Sequence, residues 1–189
     1  MPEDTAQSLC GHFLIAMPTM PDPRFQRTVI YMCAHSPSLT MGIVINKVLD
    51  NLSVTDILEQ FEIEGDSFGE GFDIHFGGPV ETSRGFVLHS TDYRQEDSLV
   101  VDERIALTTS INVLRHIAAG KGPSKYLLAL GCAGWAPGQL DSEIQSNGWL
   151  HAPADLEIIF DIANKEKWTR AVGNLGFDIG KLSHEAGHA

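Results

Sequence analysis

The sequence predicts an α+β domain: a mixed β-sheet with flanking helices. Two observations lead there. Apolar, β-branched runs occur in adjacent pairs as well as alternating with helical patterns, which argues against a clean doubly wound parallel sheet. The chain also has 189 residues, 43% apolar and 20% charged, a composition that suits one domain with a core needing no metal or disulfide staple.

The elements follow in chain order. "GHFLIAM" (Gly11–Met17) reads as a short strand stopped by Pro18, and a proline-rich loop follows. "RTVIYMCAH" (Arg27–His35) and "MGIVINKV" (Met41–Val48) read as two strands paired in a hairpin. Ser53 caps a predicted helix from Val54 to about Phe61, with Asp56 in its first turn and Ile57, Leu58 and Phe61 as an apolar stripe. "DIHFGGPV", "RGFVLHS" and "SLVVDE" read as strands, the first ending at a Gly-Gly-Pro corner. "TTSINVLRHIAAGKGP" is the clearest helix, with Ile111, Leu114, Ile117 and Ala118 on one face. "KYLLALGC" is a buried strand, and "PGQLDSEIQSN" a second clear helix ending at the turn pair Asn147-Gly148. "GWLHA" and "LEIIFDI" read as late strands, and "KEKWTRAVGNLG" as a closing helix. Residues 1–10 are expected to be a flexible arm, 11–177 the domain, and 178–189 a loose tail.

Charge narrows the function classes. The net charge of −12 repels phosphate backbones and anionic membranes, so neither direct nucleic-acid binding nor a membrane partner is expected. Eight acids and no Lys or Arg lie between Asp50 and Asp73, which reads as a solvated acidic face. No stretch is apolar for long enough to span a bilayer, and "MPEDTAQSL" lacks the basic and apolar regions of a secretory signal, so a cytoplasmic location is expected. Cys10, Cys33 and Cys132 are odd in number and far apart, which speaks against a disulfide framework or a zinc knuckle. No cofactor is implied.

Several motifs bear on chemistry. "LALGCAGWAPGQLDSEI" resembles a strand-to-helix elbow presenting Cys132 as a nucleophile, but Leu130 stands where that pattern needs glycine. A thiol enzyme would also need a histidine base, and sequence cannot place His75, His89, His116 or His151 beside Cys132. The ordinary reading is a small residue in a crowded turn. "HEAGH" matches the zincin pattern through His184 and His188, yet only Ala189 follows, and glycines weaken the helix that the pattern requires. Gly77 and Gly78 could offer backbone amides to an anion, or could simply end a strand. Asn46, Arg84, Gln139 and Glu143 are polar residues in or beside apolar elements. They form either a structural network or a polar pocket, and Gln139 and Glu143, four apart, share a helix face. Trp135, Trp149 and Trp168 read as core anchors, since no basic residues interleave with them.

The segments "FLIAMPTMPDPRFQRTVIYMCAH", "MGIVINK", "FGGPVETSRGFVLHS" and "LGCAGWAPGQLDSEIQSNGWL" together resemble the YqgE/AlgH family of bacterial proteins, from about Gly11 to Phe177. The resemblance implies a single α+β domain with a bifurcated sheet folded into a pseudo-barrel, flanked by helices. It implies no established activity and no catalytic residue. One branch carries the label of a transcriptional regulator linked to alginate production. The family often has Tyr at the position of Cys132, which weakens a shared thiol chemistry. It often has Glu where Ala34 stands and Arg-Pro where Lys47-Val48 stands, with no bearing on the fold.

Three functions follow as expectations. The first is a non-enzymatic cytoplasmic protein, regulatory or ligand-binding, with an unknown protein or small-molecule partner, whose transcriptional effect would be indirect. The second is a hydrolase or thiol enzyme using Cys132. The third is metal binding by the "HEAGH" tail.

Overall fold

The computed structural model describes residues 7–69, 71–176 and 180–181. Nine strands form one curled mixed sheet, open at both ends, and five helices pack against it. The strands are β1 (His12–Ala16), β2 (Val29–His35), β3 (Thr40–Val44), β4 (Ile74–Phe76), β5 (Val80–Ser90), β6 (Leu99–Val100), β7 (Ile105–Thr108), β8 (Tyr126–Trp135) and β9 (Trp149–Pro153). The helices are α1 (Val54–Gln60), α2 (Ile111–Ala118), α3 (Gln139–Gln145), α4 (Leu156–Phe160) and α5 (Asn164–Asn174).

The sheet runs β6-β7-β5-β8-β3-β2-β1-β9, and β4 pairs off this path with β8. That arrangement is the bifurcation. On one side of β8, β5 runs antiparallel along Tyr126–Leu130. On the other side, β4 lies parallel to Leu128–Leu130, and β3 takes over antiparallel at Ala133–Trp135. The predicted β2–β3 hairpin is present, with Ile30 opposite Val44 and His35 opposite Thr40.

Period-2 alternation assigns each strand's side chains to two cores. Val29, Tyr31 and Cys33 of β2 point to the inner face, where Trp168, Ala171 and Val172 of α5 and Ile158 and Ile159 of α4 cover them. Ile30 and Met32 point outward, to the cluster that Leu140 of α3 and Trp149 close. A third cluster seats α1 and α2 over Ile74, Val87 and Leu128. The capping box expected at Ser53 forms: Asp56 N donates to Ser53 Oγ and Ser53 N to Asp56 Oδ2. Ile57 and Leu58 are buried, but Phe61 lies largely exposed beyond the helix.

Three expectations are corrected. The Gly-Cys-Ala-Gly stretch is no elbow: β8 runs straight through it to Trp135, and the turn comes at Ala136–Gly138. Glycine at 131 (φ 75°) serves a close approach instead, because the Gly77–Gly78 backbone lies against it. A Cβ on Gly131 would sit 2.3 Å from the Gly78 carbonyl oxygen, and one on Gly78 would sit 2.1 Å from the Cys132 carbonyl carbon. "LEIIFDI" is not a strand but contains α4, begun by Asp155, whose carboxylate accepts from Glu157 N. A short apolar run has no period that separates the two choices. Finally, β7 precedes α2: Ile105–Thr108 pairs with β5, and the helix begins three residues later than the pattern predicts.

Candidate functional site

The most organised polar cluster lies where β8, β9 and α3 meet. Gln139 and Glu143, one turn apart on α3, project together, and Gln139 Nε2 donates to Glu143 Oε1 at 3.1 Å. The Gln139 side-chain oxygen accepts from Ala136 N at 3.0 Å, closing the turn ahead of the helix. Glu143 Oε2 accepts from two indoles, Trp135 Nε1 at the end of β8 and Trp149 Nε1 at the start of β9, each at 2.9 Å. One carboxylate therefore fixes two Trp rings that come from strands on different sides of the helix. The rings meet edge to face with centroids 6.4 Å apart, and Phe25 meets Trp149 edge-on at 5.8 Å.

These rings border a cleft of about 380 Å³, completed by Met20, Pro21, Pro79 and Gly148. Arg24 stands at its lip, paired with Asp22 at 2.7 Å, with its guanidinium carbon 5.7 Å from the Phe25 ring centre. The pairing holds the Asp22 carboxyl below the usual carboxylate range. Aromatic walls with a few fixed polar groups, locked before any ligand arrives, are the ordinary makings of a binding cleft.

The other predicted positions are elsewhere. Asn46 extends the β2–β3 ladder: its Oδ1 accepts from Val29 N at 2.9 Å and its Nδ2 donates to Arg27 O at 2.8 Å. Arg84 is exposed, pairing with Glu81 and reaching Thr109. Of the four candidate pocket residues, the fold thus brings together Gln139 and Glu143. Gly77 and Gly78 are buried at the β4 exit, where Gly77 N donates to Leu130 O and Gly77 O accepts from Val44 N, both at 2.8 Å. Cys132 is 5% exposed, and burial, reinforced by Glu81, pushes its thiol pKa up, away from the thiolate that a nucleophile needs. His184 and His188 lie outside the described residues.

The AlgH-like family profile matches residues 13–180. The chain belongs to the AlgH-like family. Among AlgH-like relatives, a UPF0301 protein of Rhodospirillum rubrum is 52% identical over 181 residues, covering 96% of this chain and 94% of its own. A UPF0301 protein of Jannaschia sp. is 49% identical, covering 98% of each chain. The solution structure of the AlgH protein from Pseudomonas aeruginosa superposes with a TM-score of 0.79 at 42% identity over all of both chains. A crystal structure of a Corynebacterium diphtheriae protein shares the fold, with a TM-score of 0.74 at 22% identity over 92% of this chain and 90% of its own.

This AlgH-like chain also holds a polar cluster that sequence patterns did not show. Lys167 on α5 is 3% exposed, and its Nζ donates to Ile45 O at 2.8 Å and Ile159 O at 2.9 Å. Burial pulls its pKa down from 10.5 to about 8. Beside it, His75 has Nδ1 3.2 Å from Leu128 O and Nε2 3.0 Å from Asn164 Oδ1, and Asn164 in turn donates to Asp73 at 3.1 Å. Burial lowers the His75 pKa. Lysine in an amphipathic helix ordinarily reads as a solvated position, so only the packing of α4 over α5 reveals it. Among the described residues, no helix is long and apolar enough to cross a membrane.

Proposed function

We propose that this AlgH-like protein is a non-enzymatic binding module of the cytoplasm, whose small-molecule or protein partner seats in the cleft of Trp135, Trp149 and Glu143. The observation that carries the reading is the Glu143 carboxylate. Three donors from three segments converge on it, so the aromatic walls are held open and in place at no cost to a ligand. A regulatory effect on transcription would be indirect. At a net charge of −12 the phosphate neutralisation behind nucleic-acid affinity has no general source on this chain.

The test uses the indole N–H resonances of Trp135, Trp149 and Trp168 in the full-length protein. Indole, benzoate and benzylamine carry a ring with a neutral, a negative and a positive handle, and are titrated one at a time. Saturable movement of the Trp135 and Trp149 signals, with Trp168 still, supports the cleft. Three unmoved signals, or equal movement of all three, overturns it. A gel shift that stays tight at physiological salt would overturn the indirect role.

A further inference from the structure

His75 joins three elements through a chain of hydrogen bonds. Its ring is buried on β4, with Nδ1 3.2 Å from Leu128 O of β8 and Nε2 3.0 Å from Asn164 Oδ1 at the start of α5. Asn164 Nδ2 donates in turn, at 3.1 Å, to Oδ2 of Asp73 on the lead-in to β4. Asp73, His75 and Asn164 all line a cleft of about 490 Å³, which shares no residue with the cleft of Trp135 and Trp149.

The two ends of this chain, a carbonyl and a carboxylate, can only accept, so its three links need three hydrogens. The Asn164 amide fills one link, because its NH₂ serves one neighbour while its oxygen faces the other. That holds whichever way round the amide sits. A neutral imidazole fills one more. The chain is therefore one proton short, and the ring or Asp73 must supply it. Asp73 is exposed, and an imidazole takes up a proton at a pH where an exposed carboxylate has none.

Burial above all, and then the Lys167 charge on α5, disfavours the imidazolium, while the bonds to Asn164 and Leu128 and the Asp73 charge favour it. On balance His75 takes its proton below the ordinary histidine range. The other titratable groups on the cleft wall, among the described residues, are Tyr126 of β8 and Lys165 of α5. Ile159 and Phe160 of α4, and Val48, which bridges to His75, bring no charge.

We propose that His75 is a proton-operated latch: the doubly protonated ring completes the chain and holds Asp73 to α5, and the neutral ring releases it. The neutral ring keeps its hydrogen on Nδ1, because Leu128 O is a backbone acceptor fixed where β4 pairs with β8. Nε2 then accepts, the Asn164 amide turns over to donate to it, and the Asn164 oxygen is left facing the Asp73 carboxylate. That last link lies at the surface, where water replaces it at little cost, so it is the one that breaks. Mild acid thus ties the lead-in of β4 to α5 across the cleft, and neutral pH frees a carboxylate on a wall that also carries Lys165 and Lys167. The latch and the aromatic cleft are separate, so either can fail without the other.

The test is NMR of the full-length protein from about pH 8 to about pH 5, reading the histidine ring nitrogens, the Asn164 side-chain amide and the Asp73 carboxyl carbon. At the upper end His75 should be a single Nδ1–H tautomer. It should gain its second proton at a lower pH than the exposed His151, and the Asn164 and Asp73 signals should move with the same midpoint. Asp73→Ala, at an exposed position, should weaken proton binding by His75 about fivefold, the loss of the far acceptor and its charge. Asn164→Ala should leave Asp73 no longer following the His75 midpoint. If Asn164→Ala fails to fold, the wild-type amide signal and Asp73→Ala decide. An Nε2–H tautomer at the upper end overturns the proposal. So does a His75 that never titrates, an Asn164 amide that ignores the His75 midpoint, or unchanged proton binding in Asp73→Ala.

Discussion

Lys167 makes the stability of this protein rise with pH in a mildly alkaline window. Its amine titrates at about 8 in the fold, against 10.5 when solvated. Both folded and unfolded chains hold the proton below about pH 8, so stability is flat there with respect to this group. Between about 8 and 10.5 the unfolded chain keeps a proton that the folded chain has released, and stability rises with pH. At about 1.36 kcal/mol per pH unit the rise amounts to roughly 3 kcal/mol. Other groups pull the other way. Burial pushes the Cys33 thiol and the Tyr31 phenol well above their usual values, so their ionisation in the unfolded chain erodes stability in alkali. Lys167→Met isolates the effect, since it keeps the linear apolar stem and removes the titration. The variant leaves Ile45 O and Ile159 O without their donor, at about 1–3 kcal/mol each, partly offset by relief of the buried charge, so it should fold with reduced stability. Urea unfolding of both proteins from neutral pH to pH 10.5 provides the measurement. The wild type should gain on the variant across the window. A constant difference would refute the claim that Lys167 is buried with its charge penalised.

Other outcomes follow from the packing. Gly78→Ala should cost about 4 kcal/mol or abolish folding, because its Cβ meets the Cys132 backbone at 2.1 Å. Gly69→Ala, with nothing within 4 Å and φ 78°, should cost only about 1 kcal/mol in a urea melt, the left-handed backbone penalty alone. Iodoacetamide should modify Cys10 readily in the folded protein, while Cys33 and Cys132 react only as fast as the chain opens, read by mass spectrometry. Rapid native labelling of Cys132 would revive the thiol-enzyme reading. Glu143→Ala strips the acceptor from two indoles and should cost about 2 kcal/mol while shifting tryptophan emission.

Much of the fold was legible because local chemistry and global packing agree. Ser53 with Asp56 announced a helix start, and the alternation in β2 and β3 announced a hairpin. What misled were glycines and short apolar runs. Gly131 and Gly134 look like a corner, but the small size of Gly131 serves a backbone-to-backbone crossing with Gly77 and Gly78, fifty-odd positions away in the chain. The site was half legible. Spacing placed Gln139 and Glu143 on one face, yet nothing local says that Trp135 and Trp149 converge on the same carboxylate oxygen. Asn46 read as a polar outlier in a strand, and its actual work is to carry hydrogen bonds past the point where β3 ends. Lys167 was invisible because its burial depends on which helices cover α5.

The strand that carries the bifurcation also dictates when the fold can close during synthesis. β8 is the eighth strand to leave the ribosome, yet β3, β4 and β5 all require it as a neighbour. A nascent chain ending before Tyr126 therefore has three earlier strands with edges waiting, and only the β1–β2–β3 meander and the β5–β7–β6 pairings can form ahead of it. Such edges template association with other chains. Truncated or stalled products of this gene should thus be obligate clients of chaperones, whereas the finished chain, with its central strand inserted, should not.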